Sequence, residues 1–318
     1  MVGVVPRRPH GHAVARAAPS CRRRPGAAGR RRRGARRVTP PGAPPLPPPV
    51  AGAVRAFATD GADAPHARLV ALDFDGTLAP LVDDPHAARM APAARAAVDR
   101  LGRVLAGTTT RLALVSGRHL ADLAERSEPP VGTFLVGSHG AETGVVTPTG
   151  LEAVPLELTA DQAEALAALR AGLADAVSGR EGAWVQDKPS AAVLHTRLAS
   201  PADTRAAEDV ADAVAERLGL HAMHGKDVVE VAVVETSKGE AVDRLRDVVG
   251  QDAGLARTRV LYAGDDTTDE TAFAVLGTGD LGIKVGDGET RAAARVPDAD
   301  VLAAALDLLA DLLGHPEA

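Results

Sequence analysis

From residue 66 onward, the chain alternates between short apolar runs and longer amphipathic stretches. Short apolar runs bounded by turn residues are typical of buried strands, and apolar positions three or four apart are typical of helices. The pattern predicts strands at Leu69–Phe74, Leu112–Val115, Thr133–Val136, Val260–Ala263 and Leu281–Val285. It predicts helices at Pro92–Leu105, 239–249, Glu270–Leu276 and 299–313. Strands that alternate with helices indicate an α/β fold with a Rossmann-like, mostly parallel sheet that is covered on both faces.

The middle of the chain has a different order of elements. A helix at 159–178 precedes strand-like runs at Ala183–Gln186 and Ala191–Arg197. A second helix at 201–218 precedes runs at Leu220–His224 and Val228–Val234. One helix followed by two strands, repeated twice, favours a small α+β module. We therefore expect an inserted α+β domain at 156–232, within a larger core domain formed by 66–155 and 233–318.

Residues 1–60 lack this pattern. Arginine runs such as Arg30–Arg33 and proline runs such as Pro44–Pro49 lie among glycine and alanine, and this composition predicts a disordered tail because it cannot bury a core. A basic arm for nucleic acid or a membrane is one interpretation, and an Arg-rich organelle transit peptide is another. A dispensable tail, or upstream sequence translated from a misplaced start, is the interpretation we favour.

Charge and composition narrow the function of the remaining chain. The 318 residues carry a net charge of −6, and residues 1–50 contain twelve Arg but no Asp, Glu or Lys; subtracting that +12 leaves about −18 on residues 51–318. An acidic surface is poorly suited to nucleic acid. Aromatic residues make up 2% of the chain, which disfavours base stacking.

Two further observations concern the cellular setting. The single cysteine, Cys21, excludes an intrachain disulfide. No apolar run approaches the roughly 20 residues that span a membrane. We expect a cytoplasmic protein that neither binds a membrane nor, in its folded part, binds nucleic acid.

Two acidic residues follow the first predicted strand, in the segment Asp73-Phe74-Asp75-Gly76-Thr77. In an open α/β sheet, ligands bind at the carboxyl ends of the strands. Two carboxylates at a buried strand end repel each other unless a cation or a shared proton relieves them. Hard oxygen ligands suit Mg²⁺, and a carboxylate beside that ion can attack phosphorus.

Three more polar segments occupy comparable positions. Ser116-Gly117-Arg118 follows the second strand and could bind phosphate through its hydroxyl and backbone N–H groups, although an ordinary turn has the same composition. Lys238 begins a predicted helix and could hold phosphate, although taken alone it would be interpreted as a solvated surface lysine. Three acids lie within Gly264–Asp269; helix capping by Thr268 or Asp269 accounts for one acid but not for all three.

In this order, the four segments resemble the haloacid dehalogenase superfamily of phosphohydrolases, over residues 66–318. The resemblance implies that Asp73 is the nucleophile and Asp75 the general acid/base. It also implies that Ser116 and Lys238 hold the phosphate. A Mg²⁺ ion held by Asp73, the backbone carbonyl of Asp75 and Asp265 is implied as well, with support from Asp266 and Asp269.

Within that superfamily, the inserted domain resembles a C2-type cap, and further segments are similar to those of trehalose-6-phosphate phosphatases. These segments are Gly137-Ser138-His139-Gly140-Ala141-Glu142, Asp187-Lys188-Pro189 with His195-Thr196-Arg197, and Gly225-Lys226-Asp227-Val228-Val229-Glu230. Thr196 departs from the family pattern, because an aromatic residue commonly lies between the His and the Arg.

The second resemblance implies hydrolysis of trehalose 6-phosphate to trehalose and phosphate. It implies sugar and phosphate contacts from seven side chains, namely Arg118, His139, Glu142, Lys188, Arg197, Lys226 and Glu230. A functional link to the synthase that makes the substrate is a further expectation. Hydrolysis of another sugar phosphate, such as sucrose phosphate or mannosyl-phosphoglycerate, is the nearest alternative. A non-catalytic sugar-phosphate sensor is an alternative from a different class. Such a sensor would lack catalytic residues, whereas this sequence contains all of them.

Overall fold

The computed structural model describes residues 45–59, 65–234 and 236–314. The strands of the described residues are Ala67–Leu72 (β1), Thr110–Val115 (β2), Phe134–Gly137 (β3), Glu142–Thr147 (β4), Gly150–Val154 (β5), Trp184–Asp187 (β6), Ala191–His195 (β7), Ala222–Gly225 (β8), Val228–Ala232 (β9), Thr258–Gly264 (β10), Leu281–Val285 (β11) and Ala294–Val296 (β12). They form an eight-stranded sheet in the order β12-β11-β10-β1-β2-β3-β4-β5 and a four-stranded sheet in the order β6-β7-β9-β8.

The large sheet is parallel from β12 to β3, with β1 hydrogen-bonded to both β10 and β2. This confirms the predicted α/β fold with a mostly parallel sheet. The hairpin formed by β4 and β5 extends one edge in the antiparallel sense and was not predicted. Strand β5 is largely exposed, so its sequence carries little of the apolar signal by which buried strands are recognised.

The helices are Pro48–Thr59 (α1), Pro92–Leu105 (α2), Leu120–Ser127 (α3), Ala160–Val177 (α4), Pro201–Leu218 (α5), Lys238–Ala253 (α6), Asp269–Ala274 (α7) and Ala299–Gly314 (α8). Along β1, Val70 and Leu72 pack with α1, α2, α3 and α8 on one face of the sheet. Leu69 and Ala71 pack with α6 and α7 on the other face. Because successive strand residues point to opposite faces, one apolar strand supplies two cores.

Helix α1 corrects the expectation of disorder through residue 60. Val50, Val54 and Phe57 recur at helical spacing and are buried against the core. At the end of the helix, the Arg68 guanidinium donates to the carbonyl oxygen of Ala58 over 2.7 Å, which satisfies a group that would otherwise lack a partner. The proline-rich context concealed this apolar stripe in the sequence. Residues 1–44 and residue 60 of the expected tail lie outside the described residues.

The four-stranded sheet has the predicted order of helices and strands, and α4 and α5 cover one of its faces. Ala192, Leu194, Val229 and Val231 point into the core beneath those helices. The alternate positions of the same strands therefore point away from the helices. We propose that this inserted domain comprises residues 156–232.

Within the parts of the chain that the structure describes, no helix is both long and apolar enough to cross a bilayer. The expected location of the protein in the cell stays a prediction.

Candidate active site

The sheet brings the distant polar segments together at one edge. Strands β1, β2 and β10 are parallel neighbours, so the residues that follow them lie side by side. These residues and the first turn of α6 surround a cleft of about 400 Å³, lined among others by Asp73, Asp75, Ser116, Arg118, His139, Lys238 and Asp266. Five of the predicted segments thus contribute to one cavity.

Lys238 forms the buried centre of the site. Its Nζ lies 2.8 Å from Asp73 Oδ1 and 2.7 Å from Asp269 Oδ1, and all three side chains are at most 4% exposed. The lysine begins α6 just after Ser237, whose hydroxyl accepts from the N–H of Glu240 in a capping box. That capped helix start fixes the direction from which the ammonium reaches the two carboxylates.

Burial has opposite effects on the two partners of this ion pair. Burial raises the pKa of Asp73, and the positive charge of Lys238 offsets only part of that rise. Burial acts to lower the pKa of Lys238, but the Asp73 and Asp269 carboxylates outweigh it and the pKa is raised. The lysine therefore stays charged, and additional positive charge would favour ionised Asp73.

Asp269 is saturated by donors and is not the capping residue that the alternative interpretation required. Its Oδ1 accepts from Lys238 and from the Tyr262 hydroxyl at 2.6 Å, and its Oδ2 accepts from the Asp266 N–H at 2.8 Å. The side chain of Thr268, at the N-cap position of α7, makes no cap hydrogen bond. Asp269 thus anchors Lys238 and the loop that carries Asp266.

The described residues include a group of carboxylates that fits a hard divalent cation. One oxygen each from Asp73, Asp265 and Asp269 lie within 4.8 Å of one another. The Thr77 hydroxyl is 3.0 Å from Asp73 Oδ2 and 3.1 Å from Asp265 Oδ1, so it bridges the two less saturated acids. Carboxylate oxygens are the ligands that Mg²⁺ prefers.

Backbone features hold Asp265 in place beside the first motif. A β-carbon at Gly76, where φ is +78°, would overlap the Asp265 carboxylate, so glycine permits the close approach of the two loops. The buried Lys284 donates to the carbonyl oxygen of Asp265 over 2.5 Å. These contacts direct Asp265 toward Asp73.

Arg118 holds Asp75 in a two-point contact. Its Nε and Nη2 lie 2.6 Å and 2.8 Å from the two carboxylate oxygens of Asp75. Its Nη1 donates to Asp122 at 2.7 Å, and its backbone N–H donates to Ser116 Oγ at 3.1 Å. Such fork geometry fixes the orientation of a carboxylate. The predicted Arg118 side chain therefore contacts the predicted acid/base directly.

His139 lies in a strained loop at the cleft. Ser138 and His139 have φ values of +48° and +53°, a region that non-glycine residues seldom adopt. The His139 ring packs so closely on Gly117 that a β-carbon there would overlap it. Burial, aided by the charge of Lys238, lowers the pKa of His139. A neutral imidazole therefore faces the cleft.

Glu142 lies beneath this loop. Its Oε2 accepts from the Ser138 hydroxyl at 2.6 Å and from the Leu120 N–H at 3.3 Å, and lies 3.2 Å from His119 Nδ1. Burial acts to raise the pKa of Glu142, but these hydrogen bonds outweigh it and the pKa is lowered. The structure thus places Glu142 in a loop-supporting network, and its sugar contact stays a prediction.

The structure brings some, but not all, of the predicted sugar-binding residues of the inserted domain together. Lys188 is buried, with its Nζ 2.8 Å and 2.9 Å from the two carboxylate oxygens of Glu230. Arg197 reaches across to the core domain and donates to the carbonyl oxygen of Asp83 at 3.2 Å. Lys226 is exposed in the turn between β8 and β9. A second cavity, of about 670 Å³, is lined by Lys188 and Arg197 together with Arg118.

Several residues that contact the catalytic acids or line the second cavity were not singled out from the sequence. Tyr262 and Lys284 lie within apolar strands, where a single polar group resembles an interruption of the core. Thr77 belongs to the first motif, but the sequence did not indicate a role for its hydroxyl. Trp184 and Gln186 line the second cavity, and the alternation along β6 was the signal that could have found them.

Several known proteins have sequences similar to that of this chain. A family model described as trehalose-phosphatase matches residues 71–299. The chain is 34% identical over 244 residues to a probable trehalose-phosphate phosphatase of Sinorhizobium fredii, a match that covers 75% of this chain and 86% of that protein. It is 33% identical to a trehalose-phosphate phosphatase of Mycobacterium marinum, covering 68% of this chain and 53% of that protein. The chain thus spans about half the length of the mycobacterial relative.

Solved structures share the fold. The C-terminal domain of trehalose-6-phosphate phosphatase from C. albicans superposes with a TM-score of 0.61 at 22% identity, covering 82% of this chain and 96% of that chain. A haloacid dehalogenase-like hydrolase from Bacteroides thetaiotaomicron gives a TM-score of 0.54 at 15% identity, covering 76% and 98%. At these identities the similarity concerns the fold, and it confirms the expected α/β fold.

Proposed function

The chain belongs to the trehalose-phosphatase family, and from that premise we propose that it hydrolyses trehalose 6-phosphate to trehalose and phosphate through an aspartyl-phosphate on Asp73. The observation that carries the proposal is the buried contact between Lys238 and Asp73 at the floor of a cleft that Asp75 also lines. A carboxylate that is oriented by a fixed ammonium, next to a second acid, has the parts required for two-step phosphoryl transfer.

In the first step, an oxygen of Asp73 attacks the phosphorus and the bond to the sugar oxygen breaks. Asp75 donates a proton to that leaving oxygen. In the second step, Asp75 takes a proton from a water molecule, which attacks the phosphorus and releases phosphate and free Asp73. Arg118 keeps Asp75 pointed at the cleft in the substrate-free geometry.

Positive charge around the phosphate lowers the barrier of both steps. Lys238 supplies one fixed charge, and the Ser116 hydroxyl, at the same cleft, supplies a hydrogen bond. Asp73 and Asp265 would hold a divalent cation, which would neutralise part of the charge of the phosphate; we infer Mg²⁺ from the all-oxygen donor set.

The cap supplies the selectivity for a sugar. On the cap, the buried Lys188 pairs with the partly exposed Glu230, and Lys188 lines the cavity that adjoins the catalytic cleft. An ammonium that donates and a carboxylate that accepts can pair with sugar hydroxyls in both directions. Because the proposed substrate is trehalose 6-phosphate, the enzyme would act after a synthase that forms this compound.

The test is phosphate release from a panel of sugar phosphates with Mg²⁺ and with a chelator. We expect metal-dependent turnover in which kcat/KM for trehalose 6-phosphate exceeds that for sucrose phosphate, mannosyl-phosphoglycerate and glucose 6-phosphate by at least about tenfold, or about 1.4 kcal/mol. A tenfold preference for another member of the panel would refute the substrate. Tight binding of trehalose 6-phosphate without turnover would instead support a sensor.

A further inference from the structure

The cap carries an aromatic pair that the proposed chemistry does not use. Trp184, the only tryptophan of the chain, stacks on His195 with ring centroids 3.9 Å apart and an interplanar angle of 9°. The two residues lie directly opposite each other on the antiparallel strands β6 and β7. Both lie at positions that alternate with the core-facing residues, so they are on the sheet face that α4 and α5 leave uncovered.

A hydrogen bond holds the His195 ring of this pair. His195 Nε2 lies 3.1 Å from Gln186 Oε1, two residues along the strand from Trp184. Since an amide oxygen only accepts, the Nε2 atom carries the hydrogen in this contact. Burial and the nearby charge of Lys188 lower the pKa of His195, which favours a neutral ring. Trp184 nevertheless remains 48% exposed, an uncommon state for the largest apolar side chain.

The position of the pair indicates what covers it. Trp184 and His195 line the cavity of about 670 Å³ together with Arg118 and His119 of the core domain. Gly117 and Arg118 also line the catalytic cleft, so the two cavities adjoin. A phosphate bound at Asp73 therefore places the far end of a disaccharide in the second cavity, whereas a monosaccharide phosphate need not reach it.

We propose that Trp184 and His195 form a platform for the second, non-phosphorylated sugar ring, and that Trp184 thereby determines selectivity for a disaccharide phosphate. This inference rests on the proposed function. The C–H groups of a pyranose ring carry partial positive charge, and the face of an aromatic ring is negative. Gln186, Lys188 and Arg197 surround the platform and can pair with the hydroxyls at the rim of the sugar.

The kinetic test compares Trp184→Ala and Trp184→Phe in the full chain with Mg²⁺. We expect Trp184→Ala to lower kcat/KM for trehalose 6-phosphate about fivefold to tenfold, mainly through KM, the size expected for one aromatic contact. Acetyl phosphate, which has no sugar, should be hydrolysed at the wild-type rate, and Trp184→Phe should recover most of the loss. Val154→Ala, which truncates an exposed side chain on β5, serves as the control and should change neither substrate.

A second measurement does not depend on turnover. Because Trp184 is the sole tryptophan, its fluorescence in the wild-type protein reports directly on the platform. We expect trehalose to shift this emission in a saturable manner, and glucose to require much higher concentrations.

Unchanged kinetics in Trp184→Ala would overturn the platform, and so would equal losses on trehalose 6-phosphate and acetyl phosphate. A tryptophan emission that trehalose does not alter would also overturn it. A wild-type protein that does not hydrolyse trehalose 6-phosphate but gives the saturable shift would refute the proposed function and support the platform.

Discussion

Replacing Lys238 with Met should destabilise the protein by about 3–5 kcal/mol, the usual cost of removing one partner from a buried ion pair. Each contact of the ammonium, at 2.8 Å and 2.7 Å, is worth roughly 6 kcal/mol at an effective dielectric constant of about 20. Dehydration of the ammonium offsets several kcal/mol of that sum. In the variant, Asp73 and Asp269 remain buried without a counter-charge, so the net effect is a large loss.

The loss should depend on pH in a direction that the structure fixes. Burial already raises the pKa of Asp73 above its ordinary value of 3.8, and removal of Lys238 raises it further. Because the folded-state pKa of Asp73 in the wild type is itself raised to about 8, both proteins hold this proton below that pH and the deficit should be constant there. As the pH falls from higher values toward about 8, the variant takes up the proton before the wild type does, so its deficit should shrink over that range.

The assay is urea unfolding at several pH values in the presence of a chelator, so that no divalent cation replaces the missing charge. Lys226→Met, at an exposed lysine, is the matched control and should stay within about 0.5 kcal/mol of wild type. Adding Asp269→Asn to Lys238→Met should recover part of the loss, because one unpaired charge disappears. A Lys238→Met deficit below about 1 kcal/mol, or one that grows as the pH falls toward about 8, would refute this account of the buried centre.

Three further perturbations test other parts of the molecule. Arg118→Met should lower kcat about 10- to 100-fold, because Asp75 loses its two-point contact; an unchanged kcat would show that Arg118 does not position the acid/base. Glu142→Gln should destabilise the protein by about 1 kcal/mol near neutral pH. Since the folded-state pKa of Glu142 is lowered, that difference should disappear as the pH falls below its ordinary value of 4.5, and a constant difference in calorimetry would contradict it. A chain beginning at residue 60 should be several kcal/mol less stable than one beginning at residue 45, because burial of Val50, Val54 and Phe57 stabilises the fold by about 1.5–3 kcal/mol per side chain. Equal melting temperatures of the two chains would refute the packing assigned to α1.

The catalytic motifs were predictable because each follows a strong apolar run. Parallel strands bring their carboxyl ends to one edge, so the prediction of β1, β2 and β10 already implied that Asp73, Ser116 and Asp265 would meet. Composition alone cannot distinguish the roles of Asp73 and Asp75, and the family resemblance was needed to predict which acid is the nucleophile.

Other parts of the site depend on three-dimensional contacts that the sequence does not encode locally. Glu142 has the same chemistry whether it accepts from a sugar hydroxyl or from Ser138, and only the folded loop reveals the latter contact. Tyr262 is an ordinary strand residue until its hydroxyl is seen 2.6 Å from Asp269. Helix α1 was missed because prolines and alanines outnumber its three buried apolar residues.

The most direct test of the central claim compares wild-type protein and Asp73→Asn on trehalose 6-phosphate with Mg²⁺, measuring phosphate release and, by calorimetry, ligand binding. The amide keeps the shape of the side chain but is a poor nucleophile, so we expect turnover to fall at least about 10⁴-fold. Binding of trehalose 6-phosphate should persist within about tenfold. If Asp73→Asn retains more than about 1% of the wild-type kcat, Asp73 is not the nucleophile and the assignment of the site is wrong.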